Sequence, residues 1–98
     1  MNKITLLSLS LFFPSLGFAQ TNHCEALQDT AHKIMRMYQD GLPVTSAMEA
    51  FTQSEKDAAI NKIMVEVAYD TDKFETQEDK EKAVLDFSNH MYMFCLRS

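Results

Sequence analysis

The stretch HMYMFCLRS (residues 90–98) contains Cys95, and the only other cysteine, Cys24, lies in TNHCEALQ (residues 21–28). If the chain is exported, as its first residues indicate, an even pair of cysteines is typical of a disulfide, because compartments outside the cytoplasm are oxidising. Two buried free thiols are the alternative. We expect a Cys24–Cys95 bond, which requires a fold that brings these distant residues together.

The first nineteen residues, MNKITLLSLSLFFPSLGFA (residues 1–19), have the pattern of a secretory signal peptide. Lys3 supplies a positive charge, an apolar run follows, and Gly17 and Ala19 place small residues at a cleavage site. A membrane anchor is the alternative, but the apolar run has about ten residues and a membrane span needs about 20. We expect cleavage after Ala19, no stable membrane insertion afterwards, and a periplasmic or secreted domain at residues 20–98.

The predicted mature chain is small and acidic. Cleavage leaves 98 − 19 = 79 residues, and the loss of Lys3 leaves 8 basic residues against 14 acidic ones, a net charge of −6. This balance argues against nucleic acid and anionic lipid as partners, because both are bound through Lys and Arg. A core of this size is marginal, so a disulfide that closes the domain is expected to add roughly 4 kcal/mol of stability.

Apolar residues recur at helical spacing, and no segment has the alternation of a strand. The predicted helices cover about residues 22–40, 45–51 and 54–69, and from 76 to the end of the chain. Their expected N-terminal caps are Asn22, Thr45 or Ser46, Ser54 and Thr76. Gly41 and Pro43 mark a sharp turn after the first helix, whereas the second and third are also compatible with one bent helix. We expect an all-α bundle of three to four helices, with the N- and C-terminal helices antiparallel and joined by the disulfide.

The sequence contains no convincing catalytic or metal-binding pattern. Its serines lie at predicted caps, its cysteines are expected to be oxidised, and no Gly-rich phosphate loop is present. The histidines are not spaced to place two ligands on one helical face. A metal site shared by His23 and His90 is the alternative, since each lies near a cysteine. We expect a non-enzymatic protein without a cofactor or a metal.

Acidic residues concentrate between residues 66 and 81. Six of them are candidates for binding a basic partner: Asp70, Asp72, Glu75, Glu78, Asp79 and Glu81. A solvated face that favours a helix N-terminus is the alternative, whereas complementary charge would raise the rate and specificity of docking. Phe74 is predicted to plug the core, and residues 39–45 form a second candidate surface. The methionines are expected to fill the core or line a binding groove, with Met37 and Met93 the most exposed.

Four segments resemble a group of small exported proteins of proteobacteria and their prophages. They are Cys24, IMRMYQDGLP (residues 34–43), VAYD (residues 67–70) and DFSNHMYMFC (residues 86–95). The resemblance spans most of the predicted mature chain in order and spacing, although each motif is short. It implies an all-helical domain with paired terminal cysteines and a phage or inter-bacterial setting, and it implies no catalytic residue.

These patterns predict a small exported protein-binding module without enzyme activity. Its most concrete form is an inhibitor or immunity-type protein that blocks a basic partner. The alternative is a periplasmic stress chaperone that exposes apolar surface at low pH, when its carboxylates protonate. A binder of a small molecule or metal in the bundle core is a third interpretation.

Overall fold

The computed structural model describes the backbone of residues 2–54 and 56–98 and the side chains of residues 21–54 and 56–98. Within these limits the chain forms four helices and no strand. The helices are α1 (Asn2–Gln39), α2 (Val44–Phe51), α3 (Ala58–Tyr69) and α4 (Gln77–Arg97). The predicted all-α class is therefore confirmed. The predicted signal peptide at residues 1–19 lies outside the residues whose side chains are described, and it stays a prediction.

α1 and α4 are antiparallel and are covalently joined. The sulfur atoms of Cys24 and Cys95 are bonded, with their Cα atoms 5.5 Å apart, and Arg36 meets Glu81 further along the same two helices. Both cysteines are buried. The predicted disulfide between the first and last helices is thus confirmed, and Cys95 lies in the last turn of α4 as expected.

α3 packs against α1 from a different side and runs parallel to it. Tyr38, near the end of α1, lies 4.8 Å from Tyr69 at the end of α3, measured between ring centroids. α2 packs mainly against α3. α3 and α4 make almost no contact with each other, although both pack on α1. The bundle therefore has a central helix with two walls that do not close over it.

The core lies between α1 and its neighbours. It consists of apolar residues from all four helices, including both cysteines: Cys24, Leu27, Ala31, Ile34, Met35, Ala47, Met64, Val65, Ala68, Val84, Phe87 and Cys95. These residues occupy one stripe each on α1 and α4, which is the pattern of an amphipathic helix. The disulfide lies at one end of the core, where its two buried sulfur atoms continue the apolar contact between α1 and α4.

Two predicted helix boundaries are confirmed in detail. Gly41 has φ +91°, and its N–H and that of Leu42 donate to the carbonyls of Tyr38 and Met37 at 3.0 Å each. This is the Schellman arrangement that a glycine after a helix favours. At the start of α4, the side-chain oxygen of Thr76 accepts a hydrogen bond from the backbone N–H of Asp79 at 3.1 Å.

Three other predicted boundaries are wrong. α1 is helical from Asn2 onward, so Asn22 and Cys24 lie inside the helix and Asn22 is not its N-terminal cap. A side chain caps a helix only where the preceding backbone is not helical. α2 begins at Val44 because the carbonyl of Pro43 already accepts from the N–H groups of the next turn. α3 begins at Ala58, four residues after the predicted start of that helix, and no side chain caps its N-terminus. The predicted break between the second and third helices is confirmed.

Candidate functional site

The candidate acidic residues lie on the connection between α3 and α4 and in the first turns of α4. We define the acidic loop as residues 70–79. Its five carboxylates are exposed, and none of them forms a salt bridge with another described residue. They belong to Asp70, Asp72, Glu75, Glu78 and Asp79. Glu78 and Asp79 also lie in the first turn of α4, where acids stabilise the helix dipole, so the other three have the weaker structural explanation.

The acidic loop is held in place by a buried side chain of α1. Gln39 is only 2% exposed, and its side-chain nitrogen donates to the carbonyl of Asp72 at 2.9 Å. Its side-chain oxygen accepts from the backbone N–H of Phe74, also at 2.9 Å. One amide therefore satisfies the backbone on both sides of Lys73 and fixes the middle of the loop.

Two aromatic contacts strengthen the attachment of the acidic loop. The hydroxyl of Tyr38 donates to the carbonyl of Thr71. The ammonium group of Lys73 lies 5.2 Å from the centre of the Tyr38 ring, within the range of a cation–π interaction. Lys73, the one base between Asp70 and Glu75, is thereby drawn toward α1. The loop is consequently ordered without any pairing of its acids.

Glu81 has a different role from the other five acids. The guanidinium of Arg36 donates to both carboxylate oxygens of Glu81, at 2.9 Å each, and Gln77 donates to one of them at 3.1 Å. The hydrogen bonds from Arg36 and then Gln77 lower the pKa of Glu81 to about 2, and the bond to Glu81 raises the pKa of Arg36. Glu81 is already engaged in joining α4 to α1, which leaves it less available to a partner.

An apolar groove lies beside the acidic loop, in the gap between α3 and α4. We call it the α3–α4 groove, and its part beside the acidic loop has a volume of about 420 Å³. Its floor and walls come from α1, α3, the acidic loop and α4: Met35, Val67, Thr71, Asp72, Phe74, Ala83, Asp86, Phe87, His90 and Met91. Phe74 is 39% exposed here, so the prediction that it plugs the core is wrong. It forms part of an open apolar surface instead.

A second depression, of about 510 Å³, continues the gap toward the disulfide. It has Leu27 of α1 at its base, Ile60 of α3 on one side and Phe94 of α4 on the other. Ile60 and Val67 are seven residues apart on one face of α3, as are Phe87 and Phe94 on α4. Both depressions therefore lie along the same gap, and we include the second in the α3–α4 groove.

The sequence pattern does not reveal this groove, because it predicts a single buried face for α3, formed by Ile60, Ile63, Met64, Val67 and Ala68. Met64, Val65 and Ala68 are buried, whereas Ile63 and Val67 are 54% and 43% exposed. Val65 lies outside that predicted face, and its apolar side chain was the sequence signal that α3 is apolar on a second side. A helix that is apolar on two sides needs two partners, and only α1 and α2 contact this one extensively.

The other residues that the sequence singled out are two histidines, two methionines and the turn at residues 39–45. His23 lines the depression near the disulfide and His90 lines the other end of the gap, and the described residues contain no group of three metal-ligating side chains. Met93 is 46% exposed, as expected, but Met37 is half-buried against the core. In the turn at residues 39–45, Gln39 is buried while Leu42 and Val44 are exposed.

No protein-family model matches this chain, and neither the curated proteins nor the solved structures give a significant match. Among the residues that the structure describes, no helix has the length and apolar character needed to cross a membrane. The disulfide fits an extracellular or other oxidising compartment.

Proposed function

We propose that this protein is a small exported binding module that docks a basic protein through its acidic loop, without catalysing a reaction. The observation that carries the proposal is the combination of order and unpaired charge. Gln39 and Tyr38 fix the loop backbone, while Asp70, Asp72 and Glu75 have no cationic partner within the described residues. A preorganised surface loses little entropy on binding, and complementary charge accelerates the encounter.

An inhibitor or immunity-type protein is the most concrete form of this module. A blocking protein must be stable by itself, which the disulfide between α1 and α4 favours. It must also present a rigid surface to one target, which the bonds from Gln39 favour. The resemblance to prophage-associated exported proteins supports an inter-bacterial setting for that target.

The proposal is tested by affinity capture from a periplasmic extract with the disulfide-intact protein as bait. The variant Asp72→Asn/Glu75→Gln removes two charges from the acidic loop. Glu25→Gln/Glu49→Gln removes two exposed charges elsewhere and is the matched control. We expect one stoichiometric basic protein to bind the wild type and the control, to bind the loop variant at least about tenfold more weakly, and to be released by salt. Equal capture by the two variants would refute the acidic loop as the docking surface.

A periplasmic stress chaperone is the second candidate, and the open side of α3 favours it. Because α3 has little support from α4, its release from α1 would uncover the buried side chains of Met64 and Val65. α1 and α4 would stay joined by the disulfide and by the Arg36–Glu81 pair. Binding of an apolar dye and protection of a client protein between about pH 2 and 4 would support this function, and an inert domain in that range would exclude it.

A further inference from the structure

We infer that the α3–α4 groove receives an amphipathic helix of the basic partner, whose cations lie toward the acidic loop. This inference rests on the proposed function and specifies the form of its partner. The occupant would lie on α1 between α3 and α4, with its apolar face on Val67, Phe87 and Phe94. The structure provides three independent reasons, which are the shape of the gap, its exposed apolar residues and its charge.

The shape of the gap suits a helix. Its two walls are helices of opposite direction on a common floor helix, and they do not close over it. An added helix would complete a four-helix arrangement, in which side chains of one helix fill the grooves of its neighbours. From Ala83 to Arg97 the α4 wall extends about 21 Å at 1.5 Å per residue, which matches a helix of about 14 residues. An extended peptide has no exposed strand to pair with among the described residues.

The exposed apolar residues follow the gap on both walls. Val67 is 43% exposed on α3, Phe94 is 56% exposed on α4, and Phe74 covers the end near the acidic loop. Apolar residues aligned along a groove are the usual receptor of an amphipathic helix. Met91 also lines the gap, and its flexible side chain adapts to the shape of an occupant.

The charge at the end of the gap beside the acidic loop favours a basic occupant. Asp72 and Asp86 line the end that adjoins the acidic loop, and Asp70 and Glu75 stand nearby without a salt bridge. Asp86 is paired with Lys82 at 2.6 Å, so the loop acids are the free ones. A second copy of this chain is disfavoured as the occupant, because the chain carries a net charge of −5 and would repel itself.

The test uses two labelled peptides of about 14 residues, both made of Leu, Ala and Lys. In the first, Leu recurs at helical spacing; the second has the same composition in scrambled order. Binding to the purified, disulfide-intact protein is followed by fluorescence anisotropy, and helix formation by circular dichroism. We expect the first peptide to bind and become helical, and the second to bind at least about tenfold more weakly, because charge alone does not fill the gap.

A pair of protein variants locates the binding site. Val67→Gln/Phe94→Gln makes two groove residues polar. Leu85→Gln/Leu96→Gln changes two α4 residues that are 54% and 37% exposed and line neither depression of the gap. We expect the groove variant to bind the helical peptide at least about tenfold more weakly, and the control to stay within about twofold. Hydrogen exchange on the wild type provides a second readout that needs no variant, with peptide-dependent protection expected in α3 and α4.

The outcomes separate this inference from the proposed function. Equal binding of both peptides, equal loss in both variants, or no protection in α3 and α4 would each overturn the groove as a helix receptor. Dimerisation of the wild type that Val67→Gln/Phe94→Gln abolishes would also overturn it, since the occupant would then be a second copy. If the captured protein still depends on Asp72 and Glu75 in such a case, the proposed function stands without the groove.

Discussion

Breaking the bond between Cys24 and Cys95 should remove a large part of the stability of this domain. The cysteines are separated by 71 positions, so the bond closes a loop that contains nearly the whole predicted mature chain. In the chain-entropy treatment, a loop of this length destabilises the unfolded state by about 4.4 kcal/mol. A domain of this size has about 4–12 kcal/mol in total. Loss of the bond is thus expected to remove between about a third and all of this free energy of unfolding.

The assay is thermal unfolding followed by circular dichroism, with the wild type oxidised, the wild type in reductant, and the variant Cys24→Ala/Cys95→Ala. For a domain of 60–100 residues, 1 kcal/mol shifts the melting temperature by about 4–8 °C, so the loss of about 4.4 kcal/mol should lower it by about 18–35 °C. Alanine is preferable to serine because both sites are buried and apolar. The variant also loses the packing of two sulfur atoms, so its melting temperature should be equal to or below that of the reduced wild type.

The variant provides the control, because reductant must leave its melting temperature unchanged. Helix content at low temperature should persist after reduction, since Ile34 and Val84 still bury the α1–α4 interface and Arg36 still binds Glu81. A decrease of less than about 5 °C in both the reduced wild type and the variant would refute the reasoning. The core would then support the fold by itself, and the disulfide would not be what makes so small a domain stable.

Three further predictions concern the acidic loop, the ion pair and the turn. Gln39→Leu should destabilise the protein by about 2 kcal/mol and accelerate hydrogen exchange at Phe74, because the carbonyl of Asp72 and the N–H of Phe74 lose their partner. The control is Gln53→Leu at an exposed position. Equal exchange rates at Phe74 in the two variants would contradict the role of Gln39. The stabilisation from Glu81 should be complete above about pH 4.5 and should disappear as the pH falls to about 2, because folding lowers the pKa of its carboxylate. In thermal melts, Glu81→Gln should lack this part of the pH dependence. A pH profile equal to that of the wild type would show that the pair is not formed in solution. Gly41→Ala should lower the free energy of unfolding, measured in urea, by about 1 kcal/mol. The whole cost comes from the positive φ of this position, because nothing lies near enough to clash with an added Cβ. An unchanged stability would indicate that the turn rearranges.

The features that the sequence predicts correctly depend on local rules or on chain connectivity. The spacing of apolar residues identifies α1 and α4, Gly41 supplies a conformation that other residues rarely adopt, and Thr76 caps α4. The pairing of Cys24 with Cys95 follows from a count of two cysteines and an antiparallel arrangement of their helices. None of these inferences requires knowledge of how far each helix is rotated about its own axis.

The features that the sequence does not predict depend on that rotation. Gln39 precedes Asp40 and Gly41 in a polar turn, and only the approach of the acidic loop makes it a buried residue with two backbone partners. The sequence groups Glu81 with the other acids, because its pairing with Arg36 requires α1 and α4 in a particular register. A single sequence contains residue types and spacings, and it does not contain the relative orientation of two helices.

The same orientation links the disulfide to the open groove. A small domain ordinarily needs nearly all of its apolar residues in its core, because burial is its main source of stability. Here α3 leaves Ile63 and Val67 largely exposed, and Phe94 of α4 is more than half exposed. A bond that restricts the unfolded chain stabilises the fold without using apolar area. The Cys24–Cys95 bond therefore allows this domain to keep an apolar surface free for a partner and still remain folded in the partner's absence.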